Sequence, residues 1–174
     1  MSRRDAAAES ACEPSWLSDE EQRAWRALNG VIVLLPYALD AQLQQDHDLT
    51  LFEYAVLSAL SEAPDRAVRM KSLAALANGS LSRLSHVVAR LEKRRYVVRE
   101  QLAHDRRTTV ARLTDAGWAK VVDAAPSHVE TVRSLVVEPL TPAQVRQLRS
   151  VAGRILHAVG AHCDRPVDAV GALS

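Results

Sequence analysis

Apolar runs long enough to cross a membrane are missing from this chain of 174 residues. None approaches the ~20 consecutive residues that a spanning helix needs. Arg3 and Arg4 are followed by no hydrophobic stretch, so no secretory leader is indicated and the expected location is the cytoplasm. Cysteine is scarce: Cys12 and Cys163, one near each end, exclude a disulfide framework and suit a reducing compartment. Aromatics are few as well, with one Phe, three Tyr and three Trp. The apolar mass is therefore Ala, Val and Leu, the composition of helices packed on helices. Enzyme signatures are absent: no nucleophile elbow, phosphate loop, metalloprotease helix or paired-cysteine metal site occurs. His157, His162 and Cys163 have no carboxylate cluster beside them, which is too little for a metal. No catalysis, cofactor or metal is expected.

What the chain does contain is a hidden charge asymmetry. The formal net charge is only +1. Yet residues 66–112 hold twelve Lys or Arg against three acids, a surplus of nine positive charges, while the remainder carries an excess of eight negative ones. Such a patch attracts phosphates whatever the total.

Helix signals surround this basic middle. Residues 1–15 are polar and Ala-rich and are expected to be a disordered arm, with 163–174 a tail. Ser18 with Glu21, Thr50 with Glu53, and Thr141 with Gln144 each have the spacing of a capping box. Trp25, Leu28, Ile32, Leu35 and Leu39 form a seam on the first helix, which Pro36 should bend. A short helix through Val56, Leu57 and Leu60 ends at Ala63-Pro64-Asp65, another covers 70–77, and Asn78-Gly79 is a turn. The fourth helix is strongly amphipathic. Leu81, Leu84, Val88 and Leu91 make its buried stripe, with Val87 at the edge, and Ser82, Arg83, His86, Arg90 and Lys93 fall on the other side. Two β-branched runs, 97–102 and 108–113, then read as a hairpin with 103–107 as its tip. Thr114 caps a fifth helix, interrupted by Pro126, and a sixth carries the seam Val145, Leu148, Ala152, Ile155 and Val159.

The expected fold is mainly α with a small β-hairpin. Residues 16–162 form one domain: 48–113 a lobe of short helices and the hairpin, 18–46 and 114–162 helices whose seams exceed what the middle can cover. A homodimer that interlocks those helices is the economical solution. It would hold two basic readers against double-stranded DNA.

Ser80 and Ser82 stand at the positive end of the fourth helix, where hydroxyls and N–H groups suit phosphate or base edges. Arg83 and His86 are the first choices for base contact, and Arg90 and Lys93 for phosphate. At the hairpin tip, Arg107 is assigned to a narrow minor groove, Asp105 to orienting it by a bidentate pair, and Arg106 to phosphate. The plainer alternative for both elements is a solvated basic surface.

The order of helices, the segment 80–92, the Asp105-Arg106-Arg107 tip and the Leu113-Thr114-Asp115-Ala116-Gly117 start of the next helix together resemble the multiple-antibiotic-resistance regulator (MarR) family. The resemblance runs from about Trp16 to Gly160. It implies a dimeric winged helix-turn-helix transcription factor that binds a short palindrome, usually as a repressor released by a phenolic or other aromatic ligand. It also implies a recognition face from Ser80 through Ser82, Arg83, Ser85 and His86 to Arg90, and a wing at Asp105, Arg106 and Arg107. One departure concerns the turn after the recognition helix, where the family commonly has Gly and this chain has Arg95-Tyr96. The effector residues are unassigned. Trp25, Tyr37, Phe52 and Tyr54 either line a pocket near Pro36 or are core. A redox sensor using Cys12 and a winged-helix module that docks a protein partner stay open as alternatives.

Overall fold

The computed structural model describes residues 15–102 and 105–162, without the side chains of Leu102 and residues 105–107. It divides into two compact units, one ending at Leu34 and the other beginning at Leu35. The first helix, α1 (Asp19–His47), starts as expected: Glu21 Oε2 accepts from the Ser18 amide at 2.7 Å, and Ser18 Oγ accepts from the Glu21 amide at 3.4 Å. Pro36 lies inside this helix and does not end it.

In the second unit, α2 (Leu51–Glu62) is capped by Thr50, and Asp40 Oδ1 accepts from the Leu51 amide at 2.7 Å. A 3-10 turn leads into β1 (Ala67–Arg69), a strand the sequence reading did not anticipate. Then follow α3 (Met70–Leu76), α4 (Leu81–Lys93), β2 (Val97–Leu102), β3 (Asp105–Leu113), α5 (Asp115–Val132), a π-helical turn over Arg133–Val137, and α6 (Pro142–His162). The three strands make one antiparallel sheet in the order β1-β3-β2, pairing Val68 with Ala111 and Val97 with Leu113. The fold is mainly helical with a small sheet, as expected. β3 begins at Asp105, three residues earlier than the expected 108.

The core sits where α2, α3, α4 and the sheet converge, with Leu57, Leu60, Leu73, Leu84, Val88, Leu91 and Val97 essentially inaccessible. Leu84, Val87, Val88 and Leu91 all turn inward, but Leu81 does not: it is 51% exposed. The stripe therefore begins one turn later than the spacing predicts, because the first turn of α4 projects beyond the edge of the core. The α3–α4 turn leaves no room for a side chain at Gly79, where a Cβ would lie 2.4 Å from the Phe52 ring.

α4 ends in a Schellman turn: the Tyr96 amide donates to the Leu91 carbonyl and the Arg95 amide to the Glu92 carbonyl, each at 2.9 Å. Arg95 is the left-handed residue of that turn, with φ 61°. The start of α5 clasps it. Thr114 Oγ1 accepts from the Gly117 amide at 3.0 Å and lies 2.7 Å from the Arg95 carbonyl, to which it can donate. A Cβ at Gly117 would approach the Tyr96 carbonyl oxygen to 2.2 Å, so only glycine fits beneath this turn. α1 is joined to α5 at its last turn, where His47 contacts Asp123 Oδ2 at 3.1 Å and Ser127 Oγ at 2.7 Å.

A left-handed non-glycine residue costs on the order of 1 kcal/mol. Replacement of Arg95 by Gly is therefore expected to raise the melting temperature by about 2–4 °C. Differential scanning calorimetry checks this, and an unchanged or lower midpoint would show that the Arg95 side chain contributes more than its backbone costs.

Candidate DNA-binding face

The outward side of α4 is polar as the sequence pattern requires. Ser82, Arg83, His86, Arg90 and Lys93 are exposed and Ser85 is half-buried. Three of the expected contact residues also have structural duties. Ser80 is the N-cap, its Oγ accepting from the Arg83 amide at 3.2 Å. Arg83 lays its guanidinium over the Phe52 ring, 4.2 Å from the centroid. Arg90 Nε donates to Glu53 Oε1 at 3.1 Å.

Glu53 is a buried charged residue of the core, only 5% exposed. Its other oxygen, Oε2, accepts from the Thr50 amide at 2.9 Å and from Thr50 Oγ1 at 3.0 Å. One carboxylate thus closes the capping box of α2 and anchors α4 through Arg90. Sequence reasoning found the box but not the ion pair, which joins positions 37 apart. The Arg90 side chain is 57% exposed, so its outer nitrogens stay accessible.

The basic surplus of the middle segment is partly neutralised in place. Arg66 pairs with Asp115, Arg94 with Asp48, Arg99 with Glu92 and Arg112 with Glu100. Arg66 also lies over the Trp118 ring at 4.1 Å. Arg69, Lys71, Lys93 and Arg95 make no ion pair with another described residue. Arg69, Lys71 and Arg99 line a groove of about 490 Å³ between the start of α3, the first turns of α4 and the hairpin, together with Leu81, Ser85 and Thr109. The hairpin supplies one wall. The side chains of Asp105, Arg106 and Arg107 lie outside the described residues.

Within the second unit, Tyr37, Phe52 and Tyr54 border three separate spaces. Tyr37 lines a depression with Gln44 and Gln45, Phe52 lies in the helix-turn-helix core beside Arg83, and Tyr54 faces a different space. That space is a cavity of about 840 Å³ between α2, α5, β1 and the end of α3, bordered by Tyr54, Ser58, Glu62, Val68, Asn78 and His128. The rings of Tyr54 and His128 are 4.5 Å apart. Burial pushes the His128 imidazole below its ordinary value and the Tyr54 phenol above its own. His128 Nδ1 is buried with no hydrogen-bond partner among the described residues. Cys12 and Cys163 lie outside the described residues. Among those residues no group of three His, Cys, Asp or Glu is placed to hold a metal, and no helix is long and apolar enough to cross a membrane.

Two stability effects follow. Arg90→Ala removes the partner of a buried carboxylate, discounted by the exposure of the guanidinium and by the Thr50 donors. It should cost on the order of 1 kcal/mol, whereas Lys93→Ala should be neutral; equal denaturation midpoints for the two would show that Thr50 alone satisfies Glu53. His128 gives a pH signature. With its folded value depressed, the unfolded chain binds the proton first, so stability falls as the pH drops below 6.5. His128→Phe should flatten that part of a stability-against-pH curve, and an unchanged slope would assign it to another group.

Comparison with known proteins agrees with this geometry. The family profile described as MarR family matches residues 47–108, which span α2, α3, α4 and much of the hairpin. Sco3205, a MarR family transcriptional regulator from Streptomyces coelicolor solved in complex with DNA, is 42% identical, with a TM-score of 0.81, covering 84% of this chain and 91% of that one. AbsC, a MarR family regulator from the same organism, is 36% identical with a TM-score of 0.80 and coverage of 84% and 98%. CouR from Rhodococcus jostii RHA1, solved with p-coumaroyl-CoA bound, shares the fold at 24% identity and a TM-score of 0.64, covering 81% and 94%. No curated protein matches the chain. An amphipathic α4 set between a glycine-tight turn and a hairpin, in a chain this similar to two such regulators, has one reading: the chain belongs to the MarR family of DNA-binding transcriptional regulators.

Proposed function

We propose that the protein works as a homodimer that lays two α4 helices in successive major grooves of a short palindromic operator, as a repressor released by a small ligand. The observation that carries this reading is the outward face of α4, where Ser82, Arg83, His86 and Lys93 are all exposed beside a groove bordered by Arg69 and Lys71. Arg83 is the base reader, its bidentate fork suited to guanine and pre-ordered by the Phe52 ring. Ser80, Ser82, Ser85 and His86 complete the reading face, and Arg90 and Lys93 reach phosphate. The wing takes Arg107 into the adjoining minor groove, with Asp105 orienting it and Arg106 on the backbone.

Dimerisation is supported by apolar surface that a soluble monomer would not leave in water. From residue 142 to 159 every residue but Ala152 is exposed, including Val145, Leu148, Val151, Ile155 and Val159. In the first unit Trp25, Val31, Ile32 and Val33 are more than half exposed. A two-fold dimer would set the half-sites about one helical turn apart, roughly 34 Å. The effector reading rests on the cavity at Tyr54 and His128: an apolar wall, two rings and an unsatisfied imidazole nitrogen suit an aromatic ligand carrying a hydrogen-bond donor. CouR, with its bound p-coumaroyl-CoA, is a precedent within the same fold.

Mobility-shift titration on duplexes selected from a random pool tests the reading. Arg83→Ala should weaken specific binding about 10- to 100-fold, the worth of a bidentate base contact. Affinity of the unaltered protein should fall roughly 10³-fold or more between about 50 and 200 mM salt if six or more phosphates are contacted. Shallow salt dependence together with indifference to Arg83 would remove α4 from the DNA.

A further inference from the structure

Leu81 is an exposed apolar side chain in a place where water and cations surround it. It is the first residue of α4, immediately after the Ser80 cap, and it is 51% exposed although Leu84, Val88 and Leu91 on the same helix are essentially inaccessible. It borders the groove that also holds Arg69, Lys71 and Ser85. The flanking cations draw phosphate to the rim, but a phosphate gains nothing from an isobutyl group. They equally disfavour an apolar protein surface, which would have to bury Arg69 and Lys71 without partners. In a major groove, one chemical feature does match. Thymine alone among the four bases presents a methyl carbon at its edge there, and the N-terminal residues of a recognition helix are those that reach base edges.

We infer that Leu81 reads the 5-methyl group of one thymine in each half-site, setting sequence preference at a position that hydrogen bonds from Arg83 do not cover. This rests on the proposed docking of α4 in the major groove. Ser85, one turn further along and in the same groove, is the polar neighbour at that base pair. The contact removes water from both carbon surfaces and needs no rearrangement of the core, because Leu81 is not part of it.

The test is a deoxyuridine scan. Duplexes enriched by the full-length protein from a random pool are resynthesised with each thymine replaced singly by deoxyuridine, which deletes the methyl and leaves the pairing intact. The unaltered protein is expected to lose about fourfold affinity at one position in each half-site, the factor for one buried methyl group. Leu81→Ala should abolish that sensitivity while leaving the other positions and the thermal melt unchanged, and Leu81→Met should keep it. Leu81→Gln, similar in length and polar, serves as the second variant should the alanine protein melt early. Scans that are parallel for the unaltered and Leu81→Ala proteins, or flat for the unaltered protein at every thymine, would overturn the inference and leave specific binding standing. Failure to enrich any duplex would overturn the docking of α4 and the role of Leu81 together.

Discussion

Two neighbouring residues of α2, Phe52 and Glu53, decide where the polar side of α4 points. Phe52 fills the space beneath Gly79 and carries the Arg83 guanidinium on its face, fixing the beginning of α4. Glu53 holds Arg90 two turns further along and is itself fixed by the Thr50 cap. With the Leu84, Val87, Val88 and Leu91 side pressed into the core between these two anchors, the remaining face has only solvent or a ligand to meet. A buried carboxylate is costly unless its oxygens are satisfied. Here both oxygens are engaged, and the same atoms that cap one helix orient the next.

The far end of α4 is secured by a different device. Its Schellman turn is clasped by Thr114 and fits over the bare backbone of Gly117, so α4, the hairpin and the start of α5 meet at one point. α5 in turn meets the end of α1 through His47, and with Tyr54 and His128 it shares a cavity with α2.

Local chemistry was legible in the sequence wherever one segment decided the outcome. The Ser18, Thr50 and Thr141 boxes form as their spacing predicts, and Thr114 caps α5. The amphipathic pattern of α4 put Ser82, Arg83 and His86 outside correctly. What the sequence hid is non-local. β1 is three residues long and becomes a strand only by pairing with β3, more than forty residues on. The Glu53–Arg90 pair has no local signature, and neither do the carboxylates that neutralise Arg66, Arg94, Arg99 and Arg112. Leu81 fits the helical period of the buried stripe, but periodicity says which side of a helix a residue is on, not whether the core extends that far. Phe52 and Tyr54 are two residues apart on α2 and therefore face different spaces.

The proposed mode of binding requires α4 to enter the major groove. Dimethyl sulfate protection on a bound duplex tests it directly, because guanine N7 lies in the major groove and adenine N3 in the minor one. Two clusters of protected guanine N7, about one helical turn apart, are the predicted result. A saturated complex in which every guanine N7 stays as reactive as in free DNA would take α4 out of the major groove.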